Sequence, residues 1–208
     1  MTFQHWILIL AWFLYYAVHS ILAATSVKMF FEKKSKKYFR YYRLSYSIFA
    51  TIALVFLLTF QYSFESPTLI QSIFLKYISL VVLVLPGFFI MFIAIKKYFL
   101  LLSGIRSIFE PVPPTQLKVE GVHRFVRHPL YSGTILFVWG LFFIFPQLNN
   151  LITVVLLTLY VLVGIGFEEK KLLKEFGEKY KEYIAGTPML IPYFKIKNIK
   201  KGQPVGRP

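Results

Sequence analysis

The sequence predicts an all-α integral membrane protein: five transmembrane helices, the last two a helical hairpin, followed by a cytoplasmic amphipathic C-terminal helix. Three observations carry that expectation. The chain is 57% hydrophobic and only 16% charged, too little charge to cover a water-facing surface. Its apolar residues gather into five runs near the ~20 residues that a helix needs to cross a hydrocarbon core of ~30 Å. Its basic residues fall in alternate connections between those runs.

The first run, Phe3 to Ala24, lacks a basic segment before it and is long for a signal-peptide core, so a retained helix is expected. The second runs from Leu44 to Tyr62. The third, Leu69 to Ile95, carries Lys76 close enough to its start to snorkel. The fourth and fifth, Leu130 to Phe145 and Leu151 to Phe167, flank Pro146-Gln147-Leu148-Asn149-Asn150, which reads as a tight turn. One helix from Leu130 to Phe167 would be ~57 Å long, too much for a single crossing, so a hairpin is predicted.

Lys and Arg number seven in the first connection (Thr25 to Arg43), none in the second, six in the third (Lys96 to Pro129), none in the fourth and ten after Phe167. This alternation places the N-terminus outside and the third connection and tail in the cytoplasm. It also accounts for the net charge of +15 without nucleic acid, because juxtamembrane cations face anionic headgroups. Residues 1–194 are expected to form one membrane domain, and 195–208 a basic, flexible tail. Glu110-Pro111-Val112-Pro113-Pro114 cannot be regular helix. After Phe167, Leu172, Leu173, Phe176, Tyr180 and Tyr183 recur at helical spacing, and Gly186-Thr187-Pro188 closes that helix.

No cysteine is present, which excludes disulfides, thiolate nucleophiles and thiolate zinc sites. His5, His19, His123 and His128 show no metal-ligand spacing, so no metal is expected, and His19-Ser20 inside the first helix reads as an interhelical hydrogen-bonding pair. No glycine-rich nucleotide loop occurs. Chemistry is expected where charge brackets the hairpin. Arg127 and His128 precede Pro129, which suits a first helical turn, and a helix N-terminus beside an Arg attracts anions. Glu168-Glu169 end the fifth apolar run, and the hairpin returns them to the same side. At a helix C-terminus they oppose the dipole and call for a cation. Together the groups suit a zwitterionic ligand. Headgroup anchoring by the arginines and pairing of the glutamates with Lys171 or Lys174 are the plainer readings of each residue alone.

These same residues carry a resemblance. Gly121 to Gly133, centred on Arg127-His128-Pro129-Leu130-Tyr131-Ser132-Gly133, resembles the signature of the isoprenylcysteine carboxyl methyltransferase and phospholipid methyltransferase superfamily. Glu168-Glu169-Lys170-Lys171-Leu172, Phe176-Gly177-Glu178-Lys179-Tyr180, Tyr183, Pro188 and Ile191-Pro192 resemble its C-terminal block. The N-terminal half, with His19-Ser20, Lys28 and Gly104-Ile105-Arg106, looks more like NnrU-like and methanethiol methyltransferase relatives from bacteria. Val122-His123 depart from the Pro-Tyr that often follows the signature glycine.

The resemblance implies S-adenosylmethionine-dependent methyl transfer to a lipid or other hydrophobic acceptor bearing a carboxylate, thiol or amine. It implies catalytic roles for Arg127 and Glu168, and cofactor contacts from Val119, Gly121, His123, Arg127, His128, Pro129, Tyr131, Glu168, Glu169 and Tyr180. The aromatic rings of Tyr131, Tyr180 and Tyr183 suit a sulfonium cation. The alternatives are an NADPH-dependent membrane reductase of the sterol or steroid type, and a non-enzymatic transporter or scaffold.

Overall fold

The computed structural model describes residues 1–103, 105, 117 and 119–192. Among them every extended element is helical, apart from one isolated bridge between Thr68 and Gln147. Helix α1 (Phe3–Ala23) is followed by a short α2 (Thr25–Lys34) and by α3 (Lys36–Gln61). Next come α4 (Ile73–Ser79), a π-helical turn (Leu80–Val84) and α5 (Leu85–Leu102), which run on continuously. A 3-10 turn (Gly121–Arg124) precedes α6 (Pro129–Ile144), α7 (Leu148–Phe176) and α8 (Glu178–Gly186). The Glu110–Pro114 break and the tail after Pro192 lie outside the described residues.

Four helical stretches are long and apolar enough to cross a membrane: Phe3–Ala23, Tyr38–Gln61, Ile73–Lys96 and Leu148–Phe176. The fourth apolar run forms α6, which at 16 residues is shorter. At 1.5 Å per residue it covers ~24 Å, short of a ~30 Å core. Large apolar side chains such as Phe13, Phe56, Phe74, Phe89 and Leu159 stay exposed on these helices, as a hydrocarbon solvent permits.

Several expected boundaries move. The connection from Thr25 to Arg43 is helical almost throughout, because nothing in it breaks a helix except the extended Ser35 (φ −160°). The third run starts at Ile73, not Leu69: Ser72 accepts a hydrogen bond from the Leu75 amide at 3.3 Å and caps the helix. Before it the chain is tied to the hairpin turn by Leu69 N–H to the Pro146 carbonyl (2.7 Å) and Leu148 N–H to the Pro67 carbonyl (3.0 Å). The turn itself is tighter than expected, since Leu148 already opens α7.

The largest correction concerns Glu168 and Glu169. They do not end a helix. The Glu, Lys and Leu residues after Phe167 are good helix formers, and α7 continues to Phe176, where Gly177 takes a positive φ of 56° and stops it. The expected single amphipathic helix is therefore divided between the end of α7 and α8. The conflict with the helix dipole disappears, because both carboxylates sit more than a turn from the C-terminus.

Pro86 lies in the first turn of α5 and lacks an N–H. The wide turn just before it, with Leu85 N–H bonded to the Leu80 carbonyl, absorbs the lost helical bond. From the very next residue, Gly87, α5 and α6 touch backbone to backbone. A Cβ on Gly87 would lie 2.6 Å from the Phe137 nitrogen, and one on Gly133 would lie 2.8 Å from the Met91 nitrogen. Only glycine allows this approach, the usual device of closely packed membrane helices. The contact fixes the start of α6, and with it Arg127 and His128.

Leu8, Trp12, Leu57 and Ile152 form the core where α1, α3 and α7 meet. Beside it lies a buried polar lattice. Gln61 Nε2 donates to Asn150 Oδ1 (2.7 Å), Asn149 Nδ2 to the Gln61 carbonyl (2.9 Å), and Trp12 Nε1 to Thr153 Oγ1 (2.9 Å). Near the C-terminal end of α1, His19 meets the Tyr46 hydroxyl at 2.8 Å and Ser20 meets that of Tyr160 at 3.2 Å, the interhelical bonding that the sequence suggested.

Candidate active site at the Glu168 end of helix α7

Helices α6 and α7 are antiparallel neighbours joined by a short turn, so the start of α6 lies beside the far end of α7. Arg127 and His128 thereby meet Glu168 and Glu169 across about forty residues of sequence. Arg127 Nε donates to Glu169 Oε1 at 2.7 Å, and His128 Nε2 lies 3.2 Å from the same oxygen. The other ring nitrogen of His128, Nδ1, is 3.9 Å from Glu168 Oε2. The Tyr131 hydroxyl, one turn along α6, donates to Glu168 Oε2 at 3.1 Å, and its ring stacks on that of His128 with centroids 5.6 Å apart.

The two glutamates differ in environment. The side chain of Glu169 is 22% exposed and is held by the Arg127 and His128 side chains, which are 9% and 5% exposed. It lies beyond the apolar part of α7. Burial pushes its carboxyl pKa up, but the hydrogen bonds and charges of Arg127 and His128 outweigh that and leave it below the ordinary carboxylate range. Glu168 is 44% exposed and among the described residues meets only Tyr131 and the far side of His128. Of the two carboxylates it is the one open to a ligand.

Sequence reasoning missed a strap that closes the cluster. After α8 the chain runs alongside the start of α6 in the same direction. The Arg127 and His128 amides donate to the Pro188 and Met189 carbonyls at 2.9 and 3.2 Å. Ser132 Oγ donates to the Leu190 carbonyl at 2.7 Å. The Arg127 guanidinium reaches the carbonyls of Thr187 and Ile184. The Arg127 and His128 amides are thus satisfied by the chain itself, and the carboxylate beside the Arg127 guanidinium is that of Glu169. Gly186-Thr187-Pro188 signalled the end of a helix, but nothing in it signalled where the chain went next.

Other expected residues fall around this centre. Pro129 opens α6 and is buried. His123 sits in the 3-10 turn, its Nδ1 3.2 Å from the Arg127 carbonyl, while its own carbonyl accepts from the Tyr183 hydroxyl at 2.6 Å. Gly121 starts that turn with φ 62°, a conformation that favours glycine. Val119 is exposed on the approach. No hydrogen bond or ion pair among the described residues joins Val119 or Gly121 to the carboxylates. Tyr180, from α8, is 1% exposed, and its hydroxyl is buried with no hydrogen-bond partner among the described residues. Burial, with the Glu169 and Glu168 charges nearby, pushes that hydroxyl up to about 12. Among the described residues no group of three or more His, Asp or Glu side chains is placed to hold a metal ion.

Comparison with known proteins meets the geometry here. The chain is 35% identical over 104 residues to a methanethiol S-methyltransferase of Crocosphaera subtropica, covering 47% of this chain and 39% of that protein. It is 36% identical over 86 residues to methanethiol S-methyltransferase 1 of Bradyrhizobium diazoefficiens, covering 40% and 28%. It is 31% identical over 99 residues to the enzyme of that name from Pseudomonas deceptionensis, covering 44% and 36%. The match thus spans well under half the length of these relatives. No solved structure matches the chain. Residues 75–179 match the phospholipid methyltransferase family; this stretch is half of the chain and includes Arg127, His128, Tyr131, Glu168 and Glu169, and the chain belongs to that family.

Proposed function

We propose that the protein is an integral membrane methyltransferase that uses S-adenosylmethionine to methylate a hydrophobic or membrane-embedded acceptor. The observation that carries this reading is the half-exposed Glu168 beside an already saturated Arg127–Glu169 pair, inside the family's matched stretch. When bound, the cofactor supplies an electrophilic methyl group on a cationic sulfur. The residues present fit such a cation: the half-exposed Glu168 carboxylate, a stacked His128–Tyr131 pair, and a Tyr180 hydroxyl oxygen with no hydrogen-bond partner among the described residues.

In this proposal Glu168 and Tyr131 bind the cationic side of the cofactor. Arg127 works through Glu169, holding it and the 187–190 strap against α6, so that the pocket keeps its shape. His123, Gly121 and Val119 line the approach. Methyl transfer requires nucleophile, carbon and sulfur in line, so positioning supplies much of the rate. A carboxylate acceptor needs no base. For a thiol or amine acceptor, Glu168 or His128 takes the proton. The names of the relatives favour a thiol. The alternation of basic connections supports an N-terminus outside and the Glu168 end in the cytoplasm, where the polar cofactor is available.

The test is calorimetry of the purified protein with S-adenosylhomocysteine and, separately, NADPH. Binding of the first and not the second is expected. Glu168→Gln should weaken binding on the order of tenfold or more, the size of a charge-assisted hydrogen bond, while the protein stays folded. Undiminished binding would remove Glu168 from the site, and NADPH binding alone would favour a reductase.

A further inference from the structure

Helices α1 and α3 part around two adjoining chambers, in the part of the chain that precedes the family match. The inner chamber, 280 Å³, is walled by apolar residues such as Leu14, Val18, Phe49, Ala53 and Leu57. The second, 440 Å³, adds Lys28, Tyr42, Arg43 and Ser47. Tyr15, His19, Tyr46 and Ala50 line both, so one space runs from an apolar end to a basic end.

The basic end is electrically unbalanced. Lys28 of α2 and Arg43 of α3 are half-buried and face one another, and Lys171 of α7 adds a third positive charge. Neither Lys28 nor Arg43 has an acidic partner among the described residues. Burial first, then the charges of Arg43 and Lys171, hold the Lys28 ammonium below its ordinary range. Headgroup anchors normally reach outward into water. Cations withdrawn into a chamber wall without a counter-charge are costly, and an anion between them relieves that cost.

The dimensions select the anion's attachment. Along α1 the apolar chamber reaches from Ala11 to Leu22. At 1.5 Å per residue this is ~16 Å, about one leaflet of a ~30 Å core. We propose that this double chamber binds an anionic phospholipid of the surrounding bilayer, one acyl chain in the apolar chamber and the phosphate on Lys28 and Arg43. A single leaflet's chain fills the length, the bilayer supplies the ligand laterally between α1 and α3, and the negative head meets the unpaired charge. The site is separate from the Glu168 cluster, and its occupancy does not depend on methyl transfer.

Native mass spectrometry of the delipidated protein with equal phosphatidylglycerol and phosphatidylcholine of the same chains tests this. One retained phosphatidylglycerol, preferred on the order of tenfold, is expected. Lys28→Gln with Arg43→Gln should abolish the preference, and Ala53→Phe should weaken retention of both lipids. Equal retention by the unmodified protein, or a preference that survives the double substitution, overturns the proposal. Displacement by equimolar oleate also overturns it, in favour of a single-chain anion. Should the variants fail to fold, phosphatidylglycerol with a diazirine in its acyl chain, crosslinked to the unmodified protein, gives an independent answer. Labelling within 11–22 and 46–57 supports the site, and labelling confined elsewhere removes it.

Discussion

Asn149 and Glu169 lie on the same helix, ~30 Å apart at 1.5 Å per residue, and α7 treats its polar groups at these two ends in different ways. Around Asn149 the lattice is neutral and closed. Gln61, Asn149 and Asn150 are buried, and their amides exchange hydrogen bonds with one another, with Thr153 and with the Phe145 carbonyl. Around Glu169 the lattice is charged and incomplete: Arg127 and Glu169 satisfy each other, yet Glu168 remains half-open and the Tyr180 hydroxyl has no partner among the described residues. A closed neutral lattice in hydrocarbon fixes helix register and has nothing left to offer a ligand. An ionised one with unused capacity is where a ligand completes the structure.

Arg127→Ala should produce the largest change. It removes the ion pair with Glu169 and the guanidinium contacts to the Ile184 and Thr187 carbonyls, leaving a partly buried carboxylate with His128 alone. A loss of about 2–4 kcal/mol is expected, read as a lower thermal unfolding midpoint. Faster proteolysis near residues 187–190 should accompany it as the strap loosens. If stability were untouched, the charged end would be no more than a decorated surface, and the contrast with Asn149 would collapse.

Asn149→Ala comes next. It deletes the bond to the Gln61 carbonyl and the acceptor used by the Asn150 amide. A loss of about 1–3 kcal/mol is expected, with S-adenosylhomocysteine affinity unchanged. A matching fall in affinity would show that the two ends of α7 are coupled, and that scaffold and site are not separate.

Acid should separate the ends without mutation. Glu169 has its folded pKa below the ordinary 4.5, so the stability it contributes is fully present above pH 4.5 and is lost as pH falls through the folded value. The amides of Gln61, Asn149 and Asn150 have no such dependence. Hydrogen exchange at decreasing pH should therefore show 184–190 opening before 148–153. Simultaneous opening would mean that Glu169 is not what ties the strap down.

The architecture was largely legible, because hydropathy is a property of long segments and each apolar run became a helix. The site was legible in its membership. A hairpin must return its two ends to one side, so Arg127, His128 and Glu168-Glu169 could be brought together from spacing alone. Their roles were not. The absence of a breaker between Phe167 and Gly177 does predict a continuous helix, but the charge at Glu168 looks like a membrane boundary and invites a helix end there. The strap was hidden for a different reason: Thr187 to Leu190 bind α6 through backbone carbonyls, which every residue carries and no sequence pattern marks. The Asn149 lattice was hidden because Pro146-Gln147-Leu148-Asn149-Asn150 has the composition of a turn, and Asn serves a turn and a buried amide lattice equally well.

Tyr180→Phe should have the smallest effect on the protein alone and bears most directly on the difference between the ends. A buried hydroxyl without a partner is a liability of about 1–3 kcal/mol, so its removal should leave unfolding unchanged or raise the midpoint slightly. Pushed up to about 12, the hydroxyl keeps its proton at physiological pH and is available as a donor. If it waits for the cofactor, Phe at this position should weaken S-adenosylhomocysteine binding roughly threefold to tenfold, the worth of one ordinary hydrogen bond. Higher stability with undiminished binding would instead make Tyr180 a packing residue with a tolerated defect. The open end of α7 would then rest on Glu168 alone.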